Sequence, residues 1–339
     1  MESEYDIVII GGGLRAMACA YEIAKLRGGA GIAVLMAANE PAPTADIIRS
    51  DVINAEQGAL YAENFALWKD FAKTFGQKIE WDACGVLDLC HDEAEFDFHA
   101  RVGNEMMARG EHAVLMNRDM VYHQVPNLNF ANAKHWIYGG NWQKDAGTIR
   151  ADLAHRAMTR AAQKLGVAVM MDCAFEEIVV ANGKIMGVKT VGGVINCAHV
   201  VMAMENGAIA LAQKLGVELP IQAIEMQTII SEPIKPILNC VVQYRRGDLV
   251  VRQRKDGAIV AFGLRATNLE QSVMEIFPKL SDIQILEHHV ETLEIGTAKK
   301  QLAIETSVQG LLYGGGWMDM RENLSLILAK QIVKLGFAS

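Results

Sequence analysis

The chain begins with a short run in which every position is apolar and β-branched, Ile7-Val8-Ile9-Ile10, and then turns through Gly11-Gly12-Gly13. Residues 17–27 carry apolar side chains at helical spacing, and residues 31–36 return to a nearly unbroken apolar run. The pattern predicts strand, glycine turn, helix and second strand, the order of a βαβ unit. Apolar runs without alternation belong to strands covered on both faces. Farther along, the spacing predicts helices over residues 54–75, 93–109 and 148–165, and strands over 85–89, 168–171 and 200–204. Asn182-Gly183, between apolar segments at 177–180 and 186–190, predicts a hairpin, because both central residues of the favoured two-residue turn need positive φ. Residues 116–142 are aromatic and poorly periodic, and they read as a loop region.

The glycine turn has a chemical reading. Gly11 permits the tight bend, Gly13 lets a pyrophosphate approach the backbone, and the small Ala16 lets the helix pack on the strand. The first helical residues, Leu14 and Arg15, present amides to the phosphates, and the Arg15 guanidinium adds a cation. One position departs from that pattern. The second strand of a dinucleotide-binding unit ends in an Asp or Glu that accepts hydrogen bonds from the adenosine ribose, and here Met36 stands in that place. A turn that has kept its glycines for geometry alone, without a nucleotide, is the alternative.

Composition narrows the classes. A length of 339 residues predicts two domains or one two-lobed unit, and 51% hydrophobic with 21% charged residues is globular. With 32 basic against 40 acidic residues, net charge −8, there is no broad basic face, so nucleic acid is excluded as a partner. No apolar run approaches the ~18 residues of a membrane span. The acidic start Met1-Glu2-Ser3-Glu4 lacks the basic opening of a secretory signal, and the expectation is a cytoplasmic protein. Six scattered cysteines, without ligand spacing, read as buried thiols. His288 and His289 are adjacent and face different ways, so no metal site is expected. Arg49, Arg252 and Arg254 are candidates to clamp a substrate carboxylate, and Tyr244 and Trp317 line a cavity or fill a core. Seventeen methionines, some in pairs such as Met106-Met107 and Met170-Met171, point to a protein partner or a homo-oligomer.

Several stretches, in order along the chain, carry a family resemblance: residues 6–25, 47–52, Leu60-Tyr61, Leu67-Trp68, 85–89, Gly166-Val167, 215–220, 251–257 and 310–317. They resemble the FAD-dependent family of D-amino acid oxidase and glycine oxidase, and within it most of all the beta subunit of heterotetrameric sarcosine oxidase. The resemblance implies an α/β fold: an FAD-type Rossmann (GR2-like) domain, residues 1–48, 148–215 and 305–339, interleaved with an antiparallel-sheet substrate domain, residues 49–147 and 216–304. It also implies FAD as cofactor, with Gly315 and Gly316 joining the glycine turn in binding it, and a small amino acid as substrate.

The departures from the family fall near the flavin. The loop 37–45 is short and holds Pro41 and Pro43, Glu205 follows the strand ending at Met204, and residues 297–301 and 318–322 replace stretches that contact the cofactor. A His that anchors a covalent FMN in the resembled beta subunit corresponds to Ala151, so no covalent FMN is expected. Two functions remain open. One is a non-catalytic or weakly cofactor-binding subunit of a heteromeric amine or amino-acid oxidoreductase. The other is an active FAD-dependent enzyme that oxidises a secondary (N-methyl) amino acid to an imine.

Overall fold

The structure, a computed structural model, describes residues 4–36, 47–50, 58–75, 79–131, 136–171, 173–204, 206–244, 248–264, 268–297, 303–316 and 324–338. Elements are numbered in chain order. The predicted βαβ unit is present as β1 (Ile7–Ile10), α1 (Leu14–Arg27) and β2 (Ile32–Leu35). It sits in the middle of a six-stranded sheet with β8 (Ala168–Met170), β12 (His199–Met202), β18 (Ala303–Glu305) and β19 (Leu311–Gly314), in the order β18-β19-β12-β1-β2-β8. All its pairings are parallel except that of the edge strand β18.

Both faces of this sheet are covered, which is why its strands are apolar throughout. Ile7 and Ile9 pack under α1, α5 (Ala151–Lys164) and α8 (Ser325–Gly336). Val8 and Ile10 face a three-stranded sheet of β9 (Phe175–Ala181), β10 (Lys184–Thr190) and β11 (Gly193–Asn196), together with α6 (Ala208–Lys214). Each such side chain removed from water stabilises by roughly 1.5–3 kcal/mol. The predicted hairpin joins β9 to β10, with Asn182 at φ 53° and Gly183 at φ 73°.

A second sheet has eight strands in the order β17-β13-β16-β15-β14-β4-β6-β5. It is built from β4 (Val86–Cys90), β5 (Ala113–Asn117), β6 (Gly139–Gln143) and β13 (Ile221–Pro233). The rest are β14 (Val241–Tyr244), β15 (Leu249–Gln253), β16 (Ala258–Leu264) and β17 (Ile285–Gly296). Pairing is antiparallel apart from β14 with β4. Leu87, Leu89, Val242 and Val251 look to one side, against α4 (Arg118–Gln124) and α7 (Leu269–Ile276). Val86, Val241, Val250 and Phe262 look to the other, toward Ile47 of β3 (Ile47–Ile48). The chain is thus α/β, with a Rossmann-like region and a separate antiparallel sheet.

Of the loop expected over residues 116–142, residues 125–131 and 136–138 are irregular as expected, but the start is the end of β5 and the helix α4, and the end is the strand β6. The sequence Gly139-Gly140-Asn141-Trp142-Gln143 has no alternation of its own, and its strand exists because β4 and β5 pair with it from both sides. A Cβ at Gly140 would stand 2.8 Å from the Asp88 carbonyl oxygen, so the close fit of the strands needs glycine there. Helix α2 (Gly58–Phe75) is present where the spacing predicted one, and residues 54–57 lie outside the described residues. The six cysteines form no disulfide. Among the described residues, no helix is long and apolar enough to cross a membrane.

Candidate cofactor and substrate site

The turn from β1 to α1 passes close beneath the end of β12. Gly11 adopts φ +143°, and a Cβ there would lie 2.7 Å from the Ala203 carbonyl oxygen. The helix opens on Gly13, which offers no side-chain cap, and its first turn holds no acid. A helix start of this kind presents backbone amides, and the helix dipole adds positive potential. The side chains of Leu14 and Ala16 belong to the core, so only their backbone faces the turn.

Arg15 is buried in the same helical turn. Its Nη1 donates to the Met204 carbonyl at 2.9 Å. A Cβ at Gly315 would lie 2.7 Å from that nitrogen and 2.6 Å from the Tyr313 hydroxyl, which places the bend after β19 directly against the guanidinium. Burial pushes the Tyr313 phenol up to about 12, while Arg15 pulls it down and Glu294 pushes it up. The two glycine segments, at opposite ends of the chain, meet here through one cation.

The second sheet closes the same corner. A Cβ at Gly296, the end of β17, would overlap the Gly316 carbonyl oxygen, and one at Gly316 would lie 2.5 Å from Ile221. Two residues before Gly296, the Glu294 carboxylate accepts from the backbone amides of Gly207, Ala208 and Ile209 at 3.1, 2.8 and 3.2 Å. This contact ties β17 to the start of α6, and nothing in the local sequence around Glu294 signals it. Glu205 lies outside the described residues, as do residues 37–45, 298–301, Trp317 and 318–322. Met36 is described: it is buried in the core at the end of β2 and its amide donates to the Met170 carbonyl at 3.0 Å.

The substrate candidates separate. Arg252 and Arg254 line a cleft of about 800 Å³ with Cys84, Arg150, Ala151 and Asp152. Arg254 is ion-paired with Asp256 at 2.6 Å, and Arg150 with Asp152 at 2.8 Å. The hydrogen bond from Arg150 holds the Asp152 carboxyl below its ordinary range. Arg49 does not line that cleft: it is buried, and its Nη1 donates to the Gln243 side-chain oxygen on β14. Next to it, the Ser50 amide donates to Gln143 of β6 at 3.3 Å. Tyr244 is core, with its ring 4.2 Å from that of His91. His288 and His289 lie side by side on β17, opposite Ile229 and Thr228.

The family model described as FAD dependent oxidoreductase matches residues 6–321. The chain belongs to that family. It is similar to the sarcosine oxidase subunit beta of Rhizobium meliloti (strain 1021), with 28% identity covering 92% of this chain and 80% of that one. Among solved structures, it is similar to L-proline dehydrogenase from P. horikoshii, with TM-score 0.84, 19% identity and coverage of 99% and 94%. Glycine oxidase from Bacillus cereus ATCC 14579 is also similar, with TM-score 0.79, 18% identity and coverage of 98% and 94%.

Membership of the FAD dependent oxidoreductase family implies FAD, and the residues at the glycine turn fit its pyrophosphate. The uncapped amides of α1, the close approach at Gly11 and the buried cation of Arg15 make an anion cradle. At the end of β2, the Met36 side chain brings no oxygen acceptor.

Proposed function

We propose that this chain is a sarcosine-oxidase-beta-like subunit of an FAD-dependent oxidoreductase, which oxidises a secondary amine in a small amino acid to an imine. The reading is supported by the family match and by three relatives named sarcosine oxidase subunit beta, at 28, 26 and 23% identity. The observation that carries it is the buried Arg15 at an uncapped helix start, pressed against Gly315. When bound, FAD accepts the hydride that leaves the carbon next to the amine nitrogen. The α1 amides and Arg15 hold the pyrophosphate, with Gly11, Gly13, Gly315 and Gly316 giving it room. Arg49 takes the substrate carboxylate, and Arg252 draws anions into the cleft. Ala151, on the cleft wall, has no group that could bond covalently to a second flavin. The exposed Met107 and Met171 give the chain adaptable surface for a protein partner.

A second reading, in which the chain serves a heteromeric complex and binds FAD weakly, rests on Met36. A charge-assisted hydrogen bond to the ribose is missing there, worth about 1.5–3 kcal/mol. The absorption of the purified chain separates the two. A yellow protein that bleaches when sarcosine is added without air is the expected result. A chain that stays colourless after FAD is added and gel-filtered overturns the first reading in favour of the second.

A further inference from the structure

The eight-stranded sheet ends differently on its two sides. At one side β5 is five residues long, and its Ala113 shares a core with Val102 and Met106 of α3 (Glu93–Ala108). At the other side β17 is twelve residues long and pairs, among the described residues, with β13 alone. Five consecutive residues, Leu286 to Val290, are exposed, so the strand is open on both faces there. Leu286 and Val290 are each 56% exposed. Folded chains commonly blunt a long edge with Lys, Pro or a short strand, because its outer N–H and C=O groups invite another strand. β17 contains neither Lys nor Pro.

The side chains of this stretch are complementary to themselves. When two copies of an edge strand pair antiparallel about a two-fold axis normal to the sheet, facing residues must point to the same side, so the axis passes through a residue. An axis at His288, the middle of the exposed run, sets Leu286 against Val290 of the copy on one face. On the other face it sets Glu287 against His289. Within one chain the Glu287 carboxylate already lies 2.9 Å from His289 Nε2. A carboxylate has acceptor sites for a second donor, so the four groups close into a ring in which each carboxylate stands between two imidazoles. Other axes serve less well. One at Glu287 sets that carboxylate against itself, and one at His289 sets Glu287 against Glu291. One at Leu286 runs off the start of the strand, and one at Val290 draws in the buried Leu293 opposite Glu287.

We infer that β17 is a self-association edge, on which a second copy of this chain pairs antiparallel with His288 facing His288, joining the two eight-stranded sheets into one. Strand addition gives main-chain hydrogen bonds to any extended partner, and the side chains choose among partners. Here pairing like with like covers both exposed apolar residues and matches both charges, and the axis repeats each contact. None of the residues assigned to the cofactor or the substrate lies in this stretch, so association and chemistry are separable.

Sedimentation velocity on the full chain tests this. The native chain is expected to dimerise at tens of micromolar, and Glu287→Lys and His289→Glu each to weaken the dimer about tenfold, since the axis counts every mismatch twice. An equimolar mixture of the two variants is expected to regain the native affinity. A pair drawn one from each sets the introduced lysine against the introduced glutamate and leaves a native Glu287 against a native His289. That recovery also shows that both variants are folded. With oxidised glutathione, His288→Cys should form a disulfide-linked dimer and Leu286→Cys should not, because position 286 faces position 290. A chain that stays monomeric at that concentration, or associates only with a different protein, overturns the proposal. So does a dimer indifferent to both charge variants, a mixture that does not recover, or a cross-link that forms through Val290→Cys in place of His288→Cys.

Discussion

The two large sheets place their polar groups in opposite ways. In the six-stranded sheet, every residue of β1 and β2 is buried and apolar, and the chemistry sits at the strand ends, where turns expose backbone amides. In the eight-stranded sheet, polar side chains lie within the strands: Asn141, Asp88 and Gln243 share one buried face with Val86, Val241 and Phe262, and a second apolar core covers the other face. A parallel sheet covered on both sides has no face to spare for polar groups, so it binds at its edge. An antiparallel sheet accepts buried polar groups that add little to stability.

That difference can be broken by substitution. Ile9→Ala, in the fully buried centre of the first sheet, is expected to destabilise the fold by about 2–5 kcal/mol, measured by urea unfolding. The same experiment on Asn141→Leu should give the opposite sign or no change, since removing an unmatched buried amide removes its desolvation cost. Equal losses in the two variants would show that Asn141 is a structural part of the core.

Alkaline pH sharpens the comparison through the first lobe. Burial raises the thiols of Cys19 and Cys197 to about 12 from an ordinary 9.0, and the Tyr313 phenol to about 12 from 10.0. These groups stay protonated in the folded chain while the unfolded chain releases their protons. The stability they contribute is complete below pH 9 and is lost as the pH rises toward 12. The melting temperature should fall over that window, and Cys19→Ala should flatten part of the fall.

Cofactor affinity tests the strand-end site directly. Met36→Glu is expected to tighten FAD binding by about tenfold to a hundredfold, read by titration of FAD fluorescence, because it restores an acceptor for the ribose. An unchanged affinity would mean that the ribose is held elsewhere. The smallest effect belongs to Thr228→Val on β13, opposite Phe262 of β16. Its buried hydroxyl also has no partner among the described residues, and its removal should stabilise by about 1 kcal/mol in thermal unfolding.

The sequence by itself determined the elements whose signal is local. The run Ile7–Ile10 with its three glycines specifies a buried strand and a turn that only small residues can make, and Asn182-Gly183 specifies a hairpin through two positive φ angles. Family membership was also legible, because matching stretches run in order along the chain. Only the tertiary structure decided what depends on distant pairing. Residues 139–143 became a strand because two others flank them. Arg15 met Gly315, and Glu294 capped the start of α6. Asn141, Asp88 and Gln243 fell on one rung although they are far apart in the chain. A strand's pattern says which of its faces is buried, but its register against other strands is set by the packing of the whole sheet, and it is the register that assembles the candidate site.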